Sequence, residues 1–211
     1  MRILKTLNKI YTHIKTVLMH KYYVGYYCFK AGLYKQGILH DLSKFSYVEF
    51  SEAIRYANGK ISPIKICKKE CGYSKAWFHH RGRNPHHYEM WFDNLDKGGE
   101  PVQMPFKYAL EMICDYLGAG KAYMKNGFTY SGEYNWWLNK IKNGIAMHYQ
   151  TKCFVGKVLY LIAKDNSIDI LSDKDKLKKI YKNAEIEYLQ LVRKGEQKPD
   201  VFIRNNIKRL L

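Results

Sequence analysis

Apolar residues recur at three- and four-residue steps through Ile3, Leu7, Ile10, Ile14 and Val17, with Lys and Asn between them. That is the period of one face of an α-helix. The same spacing returns at Tyr108, Met112, Asp115 and Tyr116, and again at Leu177, Ile180, Tyr181, Ala184, Tyr188 and Leu191. No stretch alternates convincingly with period two, which excludes a sheet as the main scaffold. The chain is therefore expected to be all-α, a helical bundle with extra C-terminal helices. Its 211 residues suffice for one substantial core. The expected division is a helical core over residues 1–125 and a C-terminal helical extension over 126–211, packed on the same domain.

Start and stop signals place the helices. The first runs from residue 2 to about 30, and Gly32 and Gly37 bracket a break after it. Ser46-Tyr47-Val48-Glu49 is a capping box, which gives Glu49 a structural task at the start of a helix reaching Asn58-Gly59. A helix from about Ile66 to His80 is expected to be interrupted near Gly72. Asn84-Pro85 then reads as a helix start with His86 and His87 in the first turn, where the positive helix end favours neutral imidazole. Pro105 opens a helix that Gly118 and Gly120 should end. Helices also follow from Glu133 to about Lys142, with Trp136 and Trp137 as core aromatics, and from about Thr151 to Ala163, preceded by His148. A Ser172-x-x-Asp175 cap begins one ending near Gly195, and Pro199 to Leu211 forms a last basic helix.

The chemistry concentrates at His40-Asp41-Leu42-Ser43-Lys44. Imidazole and carboxylate both suit first-row divalent metals. On a helix, Lys44 would lean over the face that His40 and Asp41 share and could hold an anion there. A His-Asp dipeptide alone is within the reach of chance, so its context matters. His20 lies on the stripe of the first helix and, taken alone, reads as a core-edge histidine. Two His-His pairs, His79-His80 and His86-His87, lie close together around Arg81, Arg83 and Asn84. Asp115 sits in the apolar stretch Met112-Ile113-Cys114-Asp115-Tyr116-Leu117, where a buried carboxylate needs a metal, a lysine or a capped backbone as partner.

Read together, the order His20, His40-Asp41, two histidine pairs and Asp115 resembles the HD-domain superfamily of metal-dependent phosphohydrolases. Those proteins carry His, then His-Asp, then Asp on successive helices, and their dinuclear members add histidines before the last Asp. His40-Asp41-Leu42-Ser43-Lys44 looks like the His-Asp-x-x-Lys form of the branch that hydrolyses cyclic dinucleotides. That branch continues with an extended Gly-Tyr-Pro signature where this chain has Tyr88-Glu89-Met90-Trp91. Asn84-Pro85-His86-His87 with a tryptophan four residues on also looks like an uncharacterised family of bacteria and phages within the group. The resemblance spans residues 20 to 120.

It implies one or two divalent ions (Mn, Fe, Co, Zn or Mg) on His20, His40, Asp41, His80, His86, His87 and Asp115. Asp41 would bridge, and His80 and His87 are the preferred members of their pairs. Lys44 and Asp41 would be catalytic, and Lys44, Arg81, Arg83 and Asn84 would bind substrate. The expected partner is a phosphorylated small molecule or nucleotide. Two other readings stay open: a di-iron oxygenase of the same type, and a basic nucleic-acid-binding protein with a structural metal.

The net charge of +17 favours such polyanionic or phosphorylated partners. Five cysteines without a Cys-x-x-Cys pair argue against a disulfide scaffold; Cys67 and Cys71 could join a metal site but read better as buried thiols. Arg2, Lys5, Lys9 and Lys15 break up any signal-peptide core, and no apolar run nears the roughly 18 residues of a membrane span. No membrane partner is expected, and the expected location is the cytoplasm of a bacterium or of a phage-infected cell.

Overall fold

The computed structural model describes residues 2–58 and 61–193. It is all-α, with nine α-helices among these residues, joined by 3-10 turns and one two-residue hairpin. The helices are α1 (Arg2–Lys30), α2 (Tyr34–Leu39), α3 (Tyr47–Tyr56), α4 (Pro63–Cys71), α5 (Lys75–Arg83), α6 (Phe106–Met124), α7 (Tyr130–Lys142), α8 (Tyr149–Asp165) and α9 (Lys174–Arg193). The expected last helix over 199–211 lies outside the described residues.

Helix α1 packs along α6, while α8 is covered by α6, α7 and α9. Val155, Val158, Leu159 and Ile162 of α8 are buried, as are Phe154 and Thr151, the pattern of a helix enclosed on most sides. One apolar cluster joins Val24 and Cys28 of α1, Leu110, Ile113 and Leu117 of α6, Trp137 of α7, the α8 residues, and Leu177 of α9. The segment after residue 125 thus shares its core with the segment before it.

Several boundaries differ from the sequence expectation, each for a physical reason. Gly37 lies inside α2, so the break before the His-Asp stretch is at Gly32 alone, which has φ +69°. Helix α6 continues through Gly118 and Gly120 to Met124. A Cβ at Gly118 would stand 2.4 Å from Val24 Cγ2, and one at Gly120 would stand 2.2 Å from Glu133 Oε2. These glycines admit neighbouring helices; they do not end their own. The interruption expected near Gly72 is present: at φ +77° it closes α4 and separates it from α5. The cap of α9 is Asp173, whose Oδ1 accepts from Lys176 N at 2.9 Å, in place of Ser172. Trp137 is buried as expected, but Trp136 is 45% exposed.

Candidate metal centre

Helix α2 stops at Leu39, and Asp41 takes the left-handed conformation at φ 56°, ψ 21° before a 3-10 turn over Leu42–Phe45. The stretch is therefore not one α-helix, the case in which Lys44 would lean over a face shared by His40 and Asp41. On a helix, His40 and Asp41 would point about 100° apart; the left-handed residue turns both inward. Asp accepts this backbone more readily than most residues. Lys21 of α1 fixes the turn by donating from Nζ to the carbonyls of Ile38 at 2.5 Å and His40 at 3.0 Å.

His20 of α1 and Asp115 of α6 meet this turn from one side. His20 Nε2 lies 3.3 Å from Asp41 Oδ2, 3.1 Å from Asp115 Oδ1 and 3.4 Å from His40 Nε2. His40 Nε2 is 3.5 Å from both carboxylates. From the other side, His80 Nε2 is 3.3 Å and His86 Nε2 is 3.5 Å from Asp41 Oδ1. Donors held about 2.1 Å from one ion lie roughly 3.0–3.4 Å apart at octahedral or tetrahedral angles. Two sets, His20-His40-Asp41 and Asp41-His80-His86-His87, have donor atoms close enough to hold a metal ion, as does His40-His86-Asp115.

The Nδ1 atoms of His40, His80 and His86 are anchored by carboxylates, whereas His20 Nδ1 is buried with no hydrogen-bond partner among the described residues. Glu111 Oε1 accepts from His40 Nδ1 at 3.0 Å and lies 3.2 Å from His86 Nδ1. Glu49 accepts from His80 Nδ1 at 2.8 Å and from His79 Nδ1 at 2.7 Å. Burial pushes both glutamates up, but the bonds from His40 and His86, and from His80 and His79, outweigh it and keep each carboxyl below its ordinary range. An ionised carboxylate only accepts, so these Nδ1 atoms carry the hydrogens, and the Nε2 atoms of His40, His80 and His86 face Asp41. Asp41 Oδ1, His86 Nε2 and His87 Nε2 are buried with no hydrogen-bond partner among the described residues. Buried polar atoms are seldom left so, and a cation among them would satisfy all three. The donor set and these orphaned atoms fit a metal ion.

Charge follows the geometry. Burial raises the Asp41 and Asp115 carboxyls, yet His40, Lys44 and His20 hold Asp41 well below the usual range, and His20 and His40 do the same for Asp115. Without a cation, burial of His40 is overcome by Asp41, Asp115 and Glu111, and its pKa rises to about 10. A metal would take the place of that Nε2 proton. His87 stays neutral because burial, His86 and His80 depress it, not because of a helix start: Asn84 ends α5, and only a 3-10 turn over Tyr88–Met90 follows.

The other expected site residues divide. Lys44 Nζ sits 2.5 Å from Asp41 Oδ2 with its side chain 26% exposed, at the edge of the centre. Asn84 is buried and donates to Ser43 Oγ at 2.8 Å and His80 O at 2.7 Å, so it positions the turn and α5 in place of the expected substrate contact. Arg81 lies over the Phe78 ring at 4.6 Å and Arg83 is exposed; no bond to the cluster is formed by either. Among the described residues, His79 bonds to Glu49 and not to the cluster. Cys67 is buried and Cys71 exposed against Tyr56 Oη, neither in a metal-competent group among the described residues.

Sequence reasoning missed two residues. Glu49 does meet Ser46 Oγ through its backbone N–H, but its carboxylate serves His79 and His80. Glu111 went unnoticed although it stands one helical turn before Asp115 on the same face.

No helix among the described residues is long and apolar enough to cross a membrane. No curated protein and no solved structure matches the chain. A family model does match residues 9–161, which include every residue of the cluster. The chain belongs to DUF5662, a family of unknown function.

Proposed function

We propose that the chain is a metal-dependent phosphohydrolase of the HD-domain type, acting on a nucleotide or another phosphoester with two divalent ions, to both of which Asp41 would contribute. The observation that supports this most is how Asp41 divides its oxygens. Oδ2 faces His20 and His40, while Oδ1 faces His80 and His86. The first ion would rest on His20, His40, Asp41 and Asp115, and the second on Asp41, His80, His86 and His87. Imidazole-rich sets favour Mn, Fe, Co or Zn over Mg.

Bound there, divalent ions would supply Lewis acidity that neutralises phosphoryl charge and brings the pKa of a coordinated water towards about 7. The protein's part is orientation and charge. Glu111 and Glu49 hold the imidazoles with Nε2 inward. Lys44 stays protonated because Asp41 outweighs the effect of its burial, and its ammonium can hold a phosphoryl oxygen beside Asp41. Hydrolysis adds water to phosphorus, breaks the ester P–O bond and returns a proton to the leaving oxygen.

The test is a screen of nucleotides, cyclic nucleotides and simple phosphoesters with protein loaded separately with Mn, Fe, Co, Zn and Mg. Turnover that Asp41→Ala abolishes is expected. No turnover with any metal overturns the proposal. Oxygen consumption by the iron form would replace it with an oxygenase, and salt-sensitive polynucleotide binding without turnover would replace it with a nucleic-acid-binding role.

A further inference from the structure

Beside the metal centre lies a lysine that the reaction outlined above does not use. Lys140, in the last turn of α7, places Nζ 4.9 Å from the Tyr88 ring centroid, 4.8 Å from Tyr116 and 5.0 Å from Trp136. It donates to Tyr116 Oη at 3.1 Å. Two of these walls adjoin the centre in the chain: Tyr88 follows His87, and Tyr116 follows Asp115. The ammonium is thus held at the flank of the cluster by aromatic faces, with the half-exposed Trp136 forming the outer wall.

Its partners are incomplete. An ammonium has three donors, and among the described residues only the Tyr116 phenol accepts one in an ordinary hydrogen bond. No carboxylate pairs with it there; burial pushes the ammonium below its ordinary range, and Glu89, Asp115 and Glu133 oppose that only from further away. Glu133 offsets it weakly, because burial and then Asp115 push that carboxyl up to about 7. Ring faces attract a cation more weakly than a phosphate oxygen does.

We propose that Lys140 holds a second phosphate-type anion of the substrate, so that the substrate carries one phosphoryl group at the metal centre and another anionic group at the Tyr88-Tyr116-Trp136 box. The proposal rests on the metal-centre reading for the substrate's orientation, but the anion site itself needs no metal. It narrows the substrate class to diphosphates, dinucleotides and other esters with two anionic groups. A lysine kept only for packing against the rings is the competing account.

Metal-stripped full-length protein is titrated with pyrophosphate, following tryptophan fluorescence and calorimetric heat. Saturable binding is expected, weakened about tenfold or more by Lys140→Met, the size of one lost charge-assisted hydrogen bond. Lys140→Arg should keep most of the affinity, which guards against a folding defect in the Met variant. Wild-type binding that is not saturable, or equal binding by wild type and Lys140→Met with matching circular dichroism spectra, overturns the proposal. Metal content measured on untreated samples separates the two readings. Lys140-dependent pyrophosphate binding in a protein that takes up no metal leaves the anion site standing and removes the metal centre.

Discussion

Glu111→Gln removes one charge and almost no volume from the middle of the cluster. The Glu111 carboxylate lies 3.0 Å from His40 Nδ1 and 3.2 Å from His86 Nδ1 through the same oxygen, and the residue is 5% exposed. Charge-assisted hydrogen bonds contribute about 1.5–3 kcal/mol each, and neutral ones roughly half of that. Exchanging two of them for amide bonds therefore costs about 1.5–3 kcal/mol of ligand orientation. That corresponds to a metal affinity lowered by about 10- to 150-fold, close to the range that outer partners of metal-binding histidines usually contribute. The assay is competition for Zn or Mn against a chromophoric chelator, with circular dichroism to establish that the variant is folded. An affinity within twofold of wild type would refute the claim that Glu111 aims His40 and His86 at an ion.

Removing ligands from opposite sides of Asp41 should separate the two sets. His87→Ala is expected to lose one ion per chain and keep the other, and His20→Ala to weaken the complementary one, both read by metal analysis after equilibrium dialysis. Gly118→Ala would drive a methyl group to 2.4 Å from Val24 Cγ2 and 2.8 Å from Val24 N; overpacking of this kind costs about 1–3 kcal/mol. Its melting temperature should fall by about 2–4 °C per kcal/mol. Metal-free protein should lose stability as pH rises from about 6.5 to 10. His40 has its pKa raised from 6.5 to about 10 in the folded state, so its contribution is complete below 6.5 and vanishes above 10. The slope expected for one proton is up to about 1.4 kcal/mol per pH unit, read from denaturation midpoints. Across the same window metal affinity should rise with pH, because ion and proton compete for His40 Nε2; an affinity independent of pH would argue against His40 as a ligand.

Much of the architecture is legible in the sequence because a helix writes its buried face at fixed spacing. The cap at Ser46 is legible too, but the stripes are only partly buried: Val17, Met112, Leu177 and Ala184 lie inside, whereas Ile3 and Leu7 at the start of α1 stay exposed. The misread glycines share one cause, since a glycine is the same letter whether it ends a helix or admits a neighbour. Only the packing of Val24 against Gly118 and of Glu133 against Gly120 tells these apart. The ligand candidates could be read from their order along the chain, and all seven converge. What the sequence hides is the backbone reversal at Asp41, which lets two adjacent residues face one point, and the carboxylates behind the histidines. Glu49 also carries a capping signal that conceals its second task. Asn84, Arg81 and Arg83 looked like anion contacts because polar residues between histidine pairs give no indication of the direction they face.

The most direct measurement is metal content by inductively coupled plasma spectrometry, on wild type and Asp41→Ala after loading and exhaustive dialysis. Asp41 contributes to both donor sets through separate oxygens, so the account predicts up to two tightly held ions per wild-type chain and a loss of both in Asp41→Ala. Wild-type protein that retains no ion, or an Asp41→Ala variant that retains as many as wild type, would contradict it.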